Sequence, residues 1–152
     1  MTKINTIIIM KINIKNIIVI QFAKYSLVGV MNTLITFILI FVCKTFLGIN
    51  EYVSNGIGYV GGLINSFIWN KKWVFKSDKK AHIEALKFAV GFLLCYGVQL
   101  LVVWALYEHT FLKTYEFDFG FYTCGGYGLA TILGNFVYTF ANFCYNRFVT
   151  FK

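Results

Sequence analysis

Four long apolar segments are the feature that most constrains how this chain folds. They cover about residues 25–46, 52–74, 88–107 and 121–145, and each is close to the roughly 20 residues that an α-helix needs to cross a bilayer core. Charged residues make up 13% of the chain, against roughly 25% in soluble domains. A polar surface therefore cannot cover a folded core, and the sequence predicts an all-α integral membrane protein with four transmembrane helices.

The first 20 residues differ from the rest because isoleucine alternates there with asparagine and lysine. Their longest apolar run, residues 7–10, is too short to span a membrane. We therefore predict that residues 1–20 form an N-terminal tail that is either a short interfacial helix or disordered. The transmembrane domain is predicted over residues 21–152, with a charged loop at residues 76–87 between its second and third spans.

The lysine and arginine residues indicate how these helices are oriented. Of the 14 basic residues, only Lys44 and Lys113 lie on the side where the first and third spans end, and the other twelve are assigned to the tail, the middle loop or the C-terminal end. Basic residues concentrate on the cytoplasmic side of membrane proteins, so both termini are predicted to be cytoplasmic. The basic residues flank apolar spans instead of forming one face, which argues against a nucleic-acid partner.

The end of the second span recurs at the end of the chain. Residues 66–76 (SFIWNKKWVFK), here the first motif, align without a gap with residues 142–152 (NFCYNRFVTFK), the second motif, at an offset of 76 residues. The matched pairs include Asn70 with Asn146, Lys71 with Arg147, Phe75 with Phe151 and Lys76 with Lys152.

The starts of the first and third spans also resemble each other. Residues 22–26 match residues 85–89 at an offset of 63. Together the two alignments predict a duplicated unit, with repeats at about residues 21–76 and 85–152. Each repeat contains two helices and begins and ends on the same side, so the two repeats are predicted to be parallel.

Five amide side chains inside the predicted spans are candidates for a functional role, because a polar group facing lipid is costly. Two interpretations stay open: the amides form hydrogen bonds between helices, or they line a polar path for a lipid headgroup. The residues are Asn32, Asn65, Gln99, Asn135 and Asn142.

No carboxylate lies in a predicted span, because Asp78 and Glu84 are assigned to the charged loop. A proton-coupled exporter normally needs a buried titratable group, so that class is disfavoured. The chain also lacks the carboxylate pairs or nucleophile–base sets of enzymes, and we predict that it is not an enzyme.

The basic residues of the two motifs also have two interpretations. Lys71, Lys72 and Arg147 can be positive-inside anchors, with Trp73 in an interfacial aromatic belt. They can instead bind a phosphate at the headgroup level, and Trp73 then belongs to the same substrate-binding site. Asn70 and Asn146 favour the second interpretation, because an anchor needs charge but not an amide at one spacing.

The remaining signals are weaker. The small-residue pairs Gly58 with Gly62 and Ala130 with Gly134 allow close helix approach, which predicts packing between the second and fourth helices or a parallel homodimer. The four cysteines have no Cys-x-x-Cys spacing and are far from the two histidines in the sequence. We therefore predict no metal site and no cofactor.

Three segments resemble the GtrA-like family of small four-helix membrane proteins. Residues 22–33 resemble the family's FxxVGxxNT pattern, and residues 67–75 and 143–151 both resemble FxxNRxWVF. The resemblance covers about residues 21–152. Two residues depart from the pattern: Lys71 replaces the arginine, and Ser66 stands where the second motif has Asn142.

The resemblance implies two functions. One is translocation of a polyprenyl-phosphate-linked sugar across the bacterial cytoplasmic membrane, for glycosylation of surface polysaccharide. In that case the phosphate would contact Lys71, Lys72 and Arg147, the sugar would pass along the five amides, and the prenyl tail would stay in the membrane lipid. The other is a membrane partner that recruits or scaffolds a polyprenyl-phosphate glycosyltransferase without transporting anything itself.

Overall fold

A computed structural model describes the backbone of residues 3–114, 116–118 and 123–152, and the side chains of residues 14–110, 112, 114 and 125–152. The chain forms two compact units, Met1–Asp78 and Lys79–Lys152. Within the described residues, each unit contains two long α-helices packed against each other. The prediction of an all-α fold with four helices is confirmed.

The first unit is a helical hairpin. Helix α1 (Lys3–Phe41) continues as a π-helical turn, π1 (Val42–Phe46), and after a short turn the chain returns as α2 (Glu51–Trp69) and a second π-turn, π2 (Asn70–Val74). In the connection, Gly48 has a φ of 62°, which glycine adopts without a steric penalty. Asn50 then caps α2, because its side chain accepts a hydrogen bond from the Tyr52 amide at 2.8 Å, which satisfies one free donor of the helix start.

Helix α1 begins much earlier than the first predicted span. Residues 3–20 belong to the same helix as residues 21–41, so no break separates the tail from the domain at residue 20. The location of the tail at the membrane interface stays a prediction.

The second unit is also a hairpin, with a more elaborate connection. Helix α3 (Ala81–His109) is followed by a 3₁₀ turn (Phe111–Thr114) and by two short strands, β1 (Glu116–Asp118) and β2 (Thr123–Gly125). The strands pair antiparallel, with Phe117 opposite Cys124. Helix α4 (Gly126–Tyr145) then leads into the π-turn π3 (Asn146–Thr150).

The prediction of a loop over residues 76–87 is wrong for its second half, which belongs to helix α3. The helix starts at Ala81, well before the predicted start at residue 88. Glu84 therefore lies in the first turn of a helix and not in a loop, a position where a carboxylate interacts favourably with the helix dipole.

Small residues bring the two helices of each unit together. A Cβ atom added to Gly62 would lie 2.4 Å from Thr36 Oγ1 on α1, and one added to Gly134 would lie 2.5 Å from Val103 Cγ2 on α3. These residues thus pack against the first helix of their own hairpin. These contacts within each hairpin were not predicted, and packing of the second helix against the fourth, or a parallel homodimer, stays a prediction.

The outer surface of the helices is apolar. Large side chains such as Phe37 and Leu101 are about two-thirds exposed, at 65% and 66%, and a soluble monomer rarely exposes contiguous apolar surface on this scale. By length and composition, the stretches Ile14–Phe46 and Ala81–His109 can each cross a membrane. Lipid is the environment that suits such a surface.

Candidate functional site

Each unit ends in a π-turn that begins at the asparagine of its motif. The Phe75 amide donates to the Asn70 carbonyl at 2.9 Å, and the Phe151 amide donates to the Asn146 carbonyl at 2.9 Å. π-Turns are rare and occur frequently at functional sites. The turn at the end of α2 and the turn at the end of α4 are therefore candidate binding sites.

In the first motif, the asparagine side chain is bonded to its own helix. Asn70 Nδ2 donates to the Ser66 carbonyl at 2.8 Å and to Ser66 Oγ at 3.2 Å. The Asn70 backbone N–H is shared between the carbonyls of Ser66 and Phe67. Such local competition for carbonyls loosens regular α-helical bonding, which is consistent with the wider turn that follows.

The second motif uses a chain of side chains instead. Asn146 Nδ2 donates to Asn142 Oδ1 at 3.1 Å, and Asn142 Nδ2 donates to Tyr138 Oη at 3.1 Å. The difference follows from the sequence, because Ser66 occupies the position that Asn142 has in the second motif. Two predicted site residues, Asn142 and Asn146, are thus in direct contact.

Both asparagines are almost completely buried: Asn70 is 1% exposed and Asn146 is 0% exposed. A carbonyl only accepts hydrogen bonds, so the nitrogen of the Asn70 amide has to face Ser66 and its oxygen has to face away. Among the described residues, no donor reaches Asn70 Oδ1. A buried acceptor without a donor is costly and marks a position where a ligand could bind.

The first motif packs against the start of α1. Lys24 Nζ lies 5.1 Å from the ring centroid of Trp73, a distance at which a cation and an aromatic face attract each other. Tyr25 and Phe75 have ring centroids 6.3 Å apart. Gln21 lies one turn earlier on α1, and its Oε1 atom is a second buried acceptor for which the described residues supply no donor. Of the two motif lysines, Lys71 is half-buried and Lys72 is exposed.

The second motif makes matching contacts with the start of α3. Phe88 and Phe151 have ring centroids 6.2 Å apart, and they are the residues that the two sequence offsets align with Tyr25 and Phe75. Lys87, which aligns with Lys24, donates to the Val149 carbonyl at 3.4 Å. Each motif is therefore held by an aromatic pair and a lysine from the preceding helix.

Two polar groups distinguish the second motif. Arg147 is half-buried with its Cζ 5.7 Å from the Phe148 ring centroid, and its Nε is buried with no acceptor among the described residues. Thr150 is 1% exposed, and its Oγ1 likewise lacks a partner in the described part of the chain. The first motif has the buried, apolar Val74 at the position of Thr150.

Glu84 is a buried carboxylate that the sequence reasoning missed. It is 1% exposed and is among the largest fully buried side chains of the described residues. The charged residues around it in the sequence predict a loop. The offset of 63 could have revealed it, since it aligns Glu84 with Gln21, next to the residues that open the first span. Proton coupling is no longer disfavoured on this ground, because a helix of this protein contains a buried carboxyl group.

Four of the five amides form hydrogen bonds between the two helices of one unit. Asn65 Nδ2 donates to Asn32 Oδ1 at 2.8 Å in the first unit, and Gln99 Nε2 donates to Asn135 Oδ1 at 2.7 Å in the second. These four residues fit the interhelical interpretation. Their participation in a polar path stays a prediction.

Metal chemistry has no support in the described residues. No group of three or more His, Cys, Asp or Glu side chains in this part of the chain could hold a metal ion. The candidate site consists of amides, basic groups and aromatic rings.

These features define a class: an apolar, helical membrane protein built from two hairpins, each ending in a buried asparagine next to a basic residue. The family model of the GtrA/DPMS transmembrane domain matches residues 24–151. The chain belongs to this family.

Three relatives show more specific similarity. The chain is 39% identical over 57 residues to a prophage bactoprenol-linked glucose translocase homolog of Escherichia coli (strain K12) and to the bactoprenol-linked glucose translocase of Shigella phage SfX. In both cases the match covers 38% of this chain and 48% of the relative. It is also 29% identical over 82 residues to the uncharacterized membrane protein YngA of Bacillus subtilis (strain 168), over 53% of this chain and 55% of the relative. The chain thus spans about half the length of these relatives.

Proposed function

We propose that this protein translocates a polyprenyl-phosphate-linked sugar across the bacterial cytoplasmic membrane, for glycosylation of surface polysaccharide. The observation that carries the proposal is the pair of buried asparagines, each next to a basic residue at the head of a π-turn. The names of the two translocase relatives support the substrate class, a sugar linked to a polyprenyl carrier.

In this proposal all four helices span the membrane as two parallel repeats, with both termini in the cytoplasm and the N-terminal tail at the interface. The charge distribution supports the orientation. The matching contacts of the two motifs support the repeat, because the sequence offsets align Tyr25 with Phe88 and Phe75 with Phe151, and both aromatic pairs form.

The motifs would bind the headgroup before it crosses. Lys71, Lys72 and Arg147 would supply positive charge at the level of the phosphate, which attracts an anionic lipid headgroup. Trp73 would stay at the interface, where tryptophan is enriched. The prenyl chain would remain in lipid, so that only the polar headgroup has to pass through the protein.

The amides would then replace water around the sugar. Moving a hydroxyl out of water without a new hydrogen bond costs several kcal/mol. A hydrogen bond between side-chain amides of two helices within a membrane is worth about 1 kcal/mol. Exchanging it for a hydrogen bond to a sugar hydroxyl is therefore favourable. The groups that would take part are Asn32, Asn65, Gln99, Asn135 and Asn142, and no bond of the substrate would be broken.

A transport assay tests this function. The purified protein is reconstituted into liposomes with a polyprenyl-phosphate sugar on one side, and arrival of the headgroup in the opposite leaflet is measured. We expect transport by the wild type and its loss in the double variant Asn70→Ala with Arg147→Ala. Lys44→Ala, which removes a charge from an exposed ion pair with Glu51, is the control. Transport unchanged in the double variant would refute the assignment of the site.

A second candidate is a scaffold for a polyprenyl-phosphate glycosyltransferase. It is favoured by the amide pairs, because all four of these groups already have partners within a unit. This function predicts a stable complex with such an enzyme in detergent, and no translocation by the isolated protein. The liposome assay therefore separates the two candidates.

A further inference from the structure

The two motifs differ in the buried polar atoms that they leave without partners. We propose that the phosphate forms its direct hydrogen bonds only with the second motif, through Arg147 and Thr150. The first motif would contribute charge and accept hydrogen bonds from ligand hydroxyls. The inference rests on the proposed substrate class and assigns its phosphate to one of the two motifs.

Arg147 is suited to a phosphate oxygen. Its Nε is buried and has no acceptor among the described residues, and a guanidinium nitrogen is a donor that needs one. The nearby carbonyls of Val149 and Lys152 already accept hydrogen bonds from Lys87 and Lys79. An external acceptor would satisfy this donor, and the neighbouring ammonium groups favour an anionic one.

Thr150 supplies a second unused donor on the same π-turn. Two other threonines of this unit, Thr131 and Thr139, donate to the carbonyls four residues earlier, each at 2.8 Å. Thr150 makes no such bond, and its Oγ1 has no hydrogen-bond partner among the described residues. Its hydroxyl and the Arg147 Nε are therefore two donors, three residues apart, that a phosphate could use together.

The first motif has no counterpart of these two donors. Its unpartnered buried atom is an acceptor, Asn70 Oδ1, which can accept from a hydroxyl group but cannot donate to a phosphate. Val74 replaces the threonine hydroxyl. Lys71 replaces the arginine, and a lysine lacks the rigid donor fork that matches phosphate geometry.

Binding of a phosphate lipid without sugar tests the assignment. The full chain in nanodiscs of neutral lipid is titrated with polyprenyl monophosphate, and binding is measured by isothermal titration. We expect Arg147→Lys and Thr150→Val each to weaken binding by about tenfold, the usual effect of losing one hydrogen bond to a charged group. Arg147→Lys keeps the charge, so a residue that only anchors the helix would tolerate it.

Thr139→Val is the matched control, because it removes a hydroxyl that already has a partner in its own helix. We expect it to bind like the wild type. Circular dichroism of each variant checks that the helices are intact. Equal affinity of the wild type, Arg147→Lys and Thr150→Val would overturn the proposal.

Two further arms separate this inference from the proposed function. In the first, phosphatidylglycerol and inorganic phosphate replace the polyprenyl ligand. Binding of phosphatidylglycerol with the same losses in the two variants would support the phosphate subsite and assign it to lipid phosphates in general. In the second, the variants enter the liposome assay. Transport without any effect of the variants on binding overturns the subsite alone, whereas subsite binding without transport overturns the proposed function alone. A wild type that binds no phosphate lipid overturns both.

Discussion

Replacing Thr150 by valine is predicted to stabilise the protein. The side chain is 1% exposed and its hydroxyl has no partner among the described residues. A buried polar group without a hydrogen bond costs about 1–3 kcal/mol. Valine has nearly the same shape and no polar atom, so Thr150→Val should raise the free energy of unfolding by about 1–3 kcal/mol.

The reciprocal change provides the strongest comparison. Val74 occupies the aligned position of the first motif and is 3% exposed. Val74→Thr would bury a new hydroxyl there and should lower the free energy of unfolding by about the same amount, 1–3 kcal/mol. Thr139→Val loses a bond of 2.8 Å to the Asn135 carbonyl, and should lower it by about 1 kcal/mol.

The measurement is unfolding in mixed micelles at increasing denaturing detergent, followed by far-ultraviolet circular dichroism. All three variants and the wild type are compared under one condition. Stability that falls in Thr150→Val would show that the hydroxyl has a partner in the folded protein, and the reasoning would be refuted. Higher stability together with weaker phosphate binding would identify Thr150 as a residue whose polarity serves binding at the expense of stability.

Two other predictions concern the helix contacts within the first unit. Gly62→Ala should lower the free energy of unfolding by about 1–3 kcal/mol, because the new Cβ would overlap a side chain of α1. A Cβ added at Gly56 meets nothing within 4 Å, so Gly56→Ala should raise the free energy of unfolding by up to about 1 kcal/mol. The same detergent titration measures both variants, and equal effects would contradict the close approach of the two helices at Gly62. Asn65→Leu should lower stability by leaving the Asn32 oxygen without its donor, and Asn32→Leu combined with Asn65→Leu should restore most of the loss. A double-mutant cycle measures this coupling, and additive losses would show that the two amides do not interact.

The composition and the long apolar segments were sufficient to predict the class of protein, a helical membrane protein, and the number of helices. The confirmed parts are the four helices and the membership of the GtrA/DPMS family, which rests on patterns at the helix ends. These features are local: a helix that faces lipid needs a long apolar sequence wherever its partner lies.

The helix boundaries and the π-turns could not be predicted in the same way. The start of helix α3 at Ala81 is hard to predict because its first turn contains His82 and the buried Glu84, and a hydropathy window scores such residues as loop. A π-turn differs from an α-turn by one residue in its hydrogen bonding. Residue type alone does not indicate that difference at Asn70 or Asn146.

The hydrogen-bonded amide pairs could not be predicted from the sequence either. Their positions in the sequence indicate how deep each lies in a span but not which direction it faces around the helix axis. Asn32 and Asn65 meet because the first unit is a tight hairpin, and Gln99 meets Asn135 for the same reason. Prediction of these pairs requires the register between two helices, which here depends on glycine contacts that the sequence had suggested for other partners.

The pattern of differences between the aligned motifs is itself informative. The positions that pack the motif against the preceding helix keep their chemistry, since Tyr25 aligns with Phe88 and both rings pack at a tilted angle against a phenylalanine. Three of the positions that change are buried or half-buried and polar in at least one unit: glutamine with glutamate, lysine with arginine, and valine with threonine. Two plain anchors would need equal charge and could vary freely elsewhere. Packing that is kept around polar groups that differ is what two motifs that bind different groups of one ligand require.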